Sequence, residues 1–145
     1  MNQFSKNIIC LSISFFACFG SIEAKQIYGN LCVKTVDRVH DGDTFIVGID
    51  DVHPIIGKEI SIRINGIDTP EITDKRPHIK KLAIKARDYA ANLLHNAQKI
   101  ELVNIQRDKY FRLLADVYVD GVNLGEELIQ AGLAHTYDGH TKSKW

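Results

Sequence analysis

Asp41-Gly42-Asp43-Thr44, then Arg63 with Asp68-Thr69-Pro70-Glu71, then Arg107-Asp108-Lys109-Tyr110-Phe111-Arg112 are the stretches whose residue types could do chemistry. Aspartate carboxylates together with a backbone carbonyl are oxygen donors of the kind a hard cation such as calcium takes. Arginine offers a planar fork that matches phosphate oxygens, which lysine cannot reproduce. A cation and two guanidiniums would neutralise the charge spread over a phosphoryl group in transfer. A glutamate such as Glu71 could orient or deprotonate an attacking water. The three clusters therefore hold the parts needed to hydrolyse a phosphodiester. The six histidines (His40, His53, His78, His95, His135 and His140) are scattered and no cysteine partners them, so the pattern does not point to zinc.

Singly, two of the clusters have plainer explanations. Asp41-Gly42 suits a turn between strands. The charged run from Arg107 to Arg112 suits a polar connection carrying a surface ion pair of little weight. The second cluster resists that reading, because two carboxylates and a proline directly follow an apolar strand, and loops leaving strand ends often carry function.

The elements that must position these groups follow from periodicity. Residues 31–39 and 44–49 read as strands separated by the Asp41-Gly42 turn. Residues 50–58, with Pro54 and Gly57, read as a connection. Ile60-Ser61-Ile62-Arg63-Ile64 alternates, which puts the isoleucines on one face and Arg63 on the other. After Pro77, the residues Ile79, Leu82, Ala83, Ala86, Ala90, Leu93, Leu94 and Ala97 form one helical stripe. Lys80, Lys81, Lys85 and Arg87 lie mainly off it, as a solvated face or a patch for a polyanion. Residues 100–105 and 113–119 read as further strands, and Asn123 with Glu126 opens a short helix running through Ala131 and closed by Gly132. This order predicts an α+β, mainly β chain: a small, partly closed five-stranded OB-fold barrel with two or three α-helices packed on it.

A chain of 145 residues suits one domain with one core. Its 18 basic and 18 acidic residues argue against holding nucleic acid by bulk positive charge, so any such charge must be local. Residues 1–24 read as a signal peptide: Lys6 is followed by an apolar run broken only by Ser12 and Ser14, then by Ile22-Glu23-Ala24 as a cleavage site. The run is short for a membrane span, and the mature domain is expected over residues 25–145, secreted or periplasmic, with no stable membrane association after cleavage. Cys10 and Cys18 would leave with the leader, so Cys32 could form no internal disulfide. Its apolar neighbours suggest a small buried hydrophobe.

Three runs together resemble the signature blocks of the staphylococcal nuclease (thermonuclease-like) family. They are Val36-Asp37-Arg38-Val39-His40-Asp41-Gly42-Asp43-Thr44, Ile62-Arg63-Ile64-Asn65-Gly66-Ile67-Asp68-Thr69-Pro70-Glu71 and Asp108-Lys109-Tyr110-Phe111-Arg112, in the family's order. The terminal Gly125-Glu126-Glu127-Leu128-Ile129-Gln130-Ala131-Gly132-Leu133-Ala134 is similar too. The resemblance implies a calcium-dependent endonuclease that cuts the bond between phosphorus and the 5′ oxygen of DNA and RNA, leaving 3′-phosphate ends. It implies that Asp43 and Asp68 ligate Ca2+ through side chains and Thr69 through its carbonyl. Arg63 and Arg112 would hold the phosphate, Glu71 would act on the water, and Tyr110 would lie near the substrate. Phe111 stands where the best-known secreted member has glycine, residues 50–58 are longer, and Tyr137 is a remnant of aromatics that flank the nucleotide there. Nothing in the chain demands more than a monomer. The rival expectation is a non-catalytic OB-fold module that binds nucleic acid or protein, though such relatives typically lose the carboxylates and arginines kept here.

Overall fold

Alternating β-branched residues fold as strands because one face can be buried while the other meets water. The computed structural model describes residues 26–53, 57–108, 110–140 and 144–145. Its elements are β1 (Leu31–Cys32), β2 (Thr35–Val39), β3 (Thr44–Gly48), β4 (Ile60–Ile64), β5 (Ile67–Asp68), α1 (Pro77–Asn96), β6 (Ile100–Arg107), β7 (Leu113–Val119), β8 (Val122–Asn123), α2 (Leu124–Gln130) and β9 (His135–Thr136). The main sheet runs β1-β6-β7-β4-β3-β2, with β8 on β7, while β5 pairs with β9 apart from it. β4 and β7 are parallel and the other pairs antiparallel.

The stretch expected as one strand over residues 31–39 is two strands. At the break, the Val33 N–H donates to the Ile100 carbonyl of β6 at 3.0 Å, and the Lys34 N–H donates to the Gly48 carbonyl of β3 at 3.0 Å. Adjacent amides thus serve opposite edges of the sheet, and this segment bridges them, curling the sheet into the expected OB-type barrel. Counting the bridging segment once, five strands make the barrel: β1/β2, β3, β4, β6 and β7.

The core inside is aliphatic: Val47, Ile62, Ile64, Leu102, Ala115 and Val117 from the strands, with Phe45 as its largest member. The stripe on α1 behaves as its spacing predicts, with Ile79, Ala83, Ala86, Ala90 and Leu94 buried and Leu82, Leu93 and Ala97 packed at the margin. Pro77 opens α1 at a position where its missing N–H costs nothing. Asn123 caps α2 by accepting from the Glu126 N–H at 3.1 Å, and Gly132 follows with φ +66°, a conformation glycine adopts without strain.

A second expectation fails. Cys32 is an exposed free thiol, not a buried hydrophobe. It lies in a two-residue strand at the sheet edge, where both residues are exposed, and apolar neighbours in sequence do not bury a side chain there. The leader over residues 1–24 lies outside the described residues. Among those described, no helix is long and apolar enough to cross a membrane.

Candidate active site

The turn between β2 and β3 is set by its own hydrogen bonds. The His40 and Asp41 N–H groups donate to the Thr44 carbonyl at 2.9 and 3.2 Å, and the Asp43 N–H donates to Asp41 Oδ1 at 3.2 Å. Gly42 is required for space: a Cβ there would sit 2.8 Å from Thr69 Cγ2 and 2.9 Å from Ala86 Cβ. The turn therefore rests directly on α1 and on the loop after β5. Gly42→Ala is expected to destabilise the fold by about 1–3 kcal/mol through overpacking. Urea denaturation checks this, and a variant as stable as the parent would mean the contact relaxes without cost.

That close approach brings two carboxylates into the interior. Asp43 and Asp68 are each 1% exposed. Asp43 Oδ1 accepts from the Thr44 hydroxyl at 3.1 Å, and Oδ2 accepts from the Thr69 N–H at 2.9 Å. Arg63 stands on β4 opposite Thr44 of β3 and beside Leu114 of β7. Its guanidinium forms an ion pair with Asp43 and donates to the Ile67 carbonyl at 3.0 Å and to Asp68 Oδ1 at 3.4 Å. Burial lowers the Arg63 guanidinium below its ordinary value; the carboxylates of Asp41 and Asp68 oppose this and the charge of Arg112 adds to it. Arginine begins so far above neutrality that it stays cationic. Burial pushes the Asp41 carboxyl above the usual aspartate range, against the pull of Arg63 and His40.

Arg63, Glu71, Tyr110 and Arg112 share one cleft of about 830 Å³, with Asp41 and Thr44. Glu71 also borders an adjoining recess of about 380 Å³ together with Asp68 and Thr69. Asp43 lines neither opening and lies buried against Arg63. Arg112 is aimed by Asp108, whose Oδ2 accepts from its Nε at 2.7 Å, while Asp108 Oδ1 accepts from the N–H groups of Tyr110 and Arg112 at 2.8 and 3.0 Å. Burial alone would raise the Asp108 carboxyl, but these hydrogen bonds outweigh it and hold it below the usual range. Tyr110 is 67% exposed, with the Arg112 guanidinium 5.3 Å from its ring centre.

Sequence reasoning named Asp41 and Asp108 within their clusters without giving them work; the four-residue spacing of Asp108 and Arg112 was the available signal. Trp145 stands outside all three clusters. Its indole Nε1 donates to Asp68 Oδ2 at 3.4 Å, and its ring stacks on His135 with centroids 3.8 Å apart and planes 6° from parallel. His135 stands opposite Asp68 where β9 pairs with β5. No local pattern could reveal a partner 77 residues away. Tyr137 does line the cleft, its N–H held by the Gly66 carbonyl at 2.8 Å.

The donors fit a hard cation in type. Two buried carboxylates against one guanidinium carry net negative charge, and every donor is oxygen. Among the described residues no group of three or more His, Cys, Asp or Glu side chains could hold a metal by itself. A cation here would take its remaining ligands from backbone carbonyls such as that of Thr69 and from water.

Residues 61–144 match the model of the family described as "Staphylococcal nuclease homologue". A thermonuclease of Staphylococcus hyicus is 33% identical over 129 residues, covering 88% of this chain and 73% of that protein. Endonuclease YncB of Bacillus subtilis (strain 168) is 36% identical over 114 residues, covering 74% of this chain, which spans 51% of that relative's length. A probable endonuclease lcl3 of Pyrenophora tritici-repentis is 32% identical over 90 residues, 59% of this chain and 33% of that protein.

Proposed function

The chain belongs to the staphylococcal nuclease family, and from that premise we propose that it is an exported, calcium-dependent nuclease cutting the 5′-O–P bond of DNA and RNA to leave 3′-phosphate ends. The observation that carries the reading is that Arg63, Arg112 and Glu71 line one cleft. Arg63 is already held by Asp43 and Arg112 by Asp108, and a phosphate diester would accept from the N–H donors that still face the cleft.

On this reading Arg63 and Arg112 hold the scissile phosphate, and Arg112 also favours departure of the 5′ oxygen by stabilising its charge. Glu71, at the cleft edge, orients the attacking water and takes its proton. Tyr110 borders the bound strand. Asp43, Asp68 and the Thr69 carbonyl would hold calcium, which when bound supplies charge neutralisation for the phosphate. Asp108 keeps Arg112 aimed, and Thr44 with the Thr69 N–H keeps Asp43 aimed. Export would remove residues 1–24, and the mature nuclease would act as a monomer outside the cytoplasm on DNA and RNA.

The test is digestion of single-stranded DNA by purified residues 25–145 in calcium and in excess chelator. Cutting in calcium and its loss in chelator are expected. A folded protein that cuts under no divalent ion would instead be a binding module.

A further inference from the structure

Phe111 occupies a position that folding alone does not favour. Its φ is +65°, in the left-handed region that strains a bulky side chain, and the residue is 76% exposed. A glycine there would remove both the backbone strain and the exposed apolar surface. The ring nevertheless has a definite neighbour: the Arg107 guanidinium lies over it, 4.1 Å from its centre. A cation on an aromatic face is an attractive contact. Phe111 also sits between Tyr110 and Arg112, both of which line the cleft, although it does not line the cleft itself.

We propose that Phe111, backed by Arg107, is a stacking platform for a nucleobase of the strand whose phosphate lies in the cleft, one that raises affinity for single-stranded nucleic acid without reading base identity. The inference rests on the cleft holding a nucleic acid strand. Every base presents a flat π face, so an exposed ring beside a phosphate site gains affinity from any of them, and arginine adds to the stack while attracting the backbone. Arg107 puts a cation directly on the platform, which suits a polyanion and not an apolar protein surface. The role is one of substrate affinity, separate from the water-activating and phosphate-holding groups.

The experiment measures binding apart from cutting. Fluorescence anisotropy in chelator compares a labelled single-stranded oligonucleotide with the same strand carrying abasic sites, using the parent, Phe111→Gly and Phe111→Trp. The parent should bind the base-bearing strand about tenfold more tightly than the abasic one, as one stacked base contributes. Phe111→Gly should lose that preference by weakening on the base-bearing strand alone, and Phe111→Trp should keep it. Thermal melting of Phe111→Gly at or above the parent's temperature would show that the loss is not unfolding. The proposal is overturned if the parent binds neither strand, if it binds both equally, or if Phe111→Gly weakens on both alike. A parallel digest in calcium separates the two readings. A parent that shows the preference yet never cuts sinks the nuclease reading alone; one that cuts without the preference sinks the platform alone.

Discussion

Glu71→Gln is expected to lower the single-turnover rate on single-stranded DNA in calcium by about 10²–10⁴-fold, the range typical of a positioned general base. Glutamine keeps the shape and the hydrogen-bonding reach of the side chain but cannot take a proton. Glu71 is exposed, so the exchange opens no cavity, and the turn that holds its backbone, an Asp74 N–H donating to the Glu71 carbonyl at 3.1 Å, does not involve the side chain. Melting temperature should stay within a few degrees of the parent, since a near-isosteric exchange at an exposed position changes stability by only about 0.5 kcal/mol. Substrate affinity should change little, because the guanidiniums carry the phosphate. A rate within threefold of the parent would remove Glu71 from the chemistry and move the proton-accepting role elsewhere.

Arg63→Met should be the most damaging substitution for the fold itself. Methionine fills much of the volume, so the effect isolates the charge. Asp43 and Asp68 would remain buried without the guanidinium that now contacts both. Removing one partner from a buried ion pair typically costs about 3–5 kcal/mol, since the remaining charge is left in a medium that solvates it poorly. Calcium should recover part of the loss, because a cation bound only by the folded state stabilises it by RT ln(1 + [L]/Kd). Urea titrations at neutral pH, with and without calcium, read both effects. A loss below about 1 kcal/mol at neutral pH would mean the carboxylates are satisfied without Arg63.

The bounds of β4 and β7 coincide with the alternating segments over residues 60–64 and 113–119, and α1 starts at Pro77. Those signals are local: a two-residue or 3.6-residue period needs only its own stretch of chain. The capped start of α2 at Asn123 is local for the same reason. Cys32 and the break after it were not legible, because edge position and the division of hydrogen bonds between β3 and β6 depend on where distant strands lie. β5 and β9 are two residues each and have no periodicity to detect; they exist because each supplies the other's partner.

By itself the sequence determined the chemical inventory of this protein: carboxylates, guanidiniums and a glutamate in three clusters, and strands and helices whose periods are written in consecutive residues. Only the tertiary structure decided which of these share a cleft, that Asp43 is buried behind Arg63, that Gly42 must be small to seat the turn on α1, and that Trp145 reaches Asp68. It also decided that Phe111 stands in water beside Arg107. The reason is physical: propensity and amphipathic period act within a turn or a strand, whereas burial, desolvation and ion pairing are set by neighbours that only the closed barrel brings together.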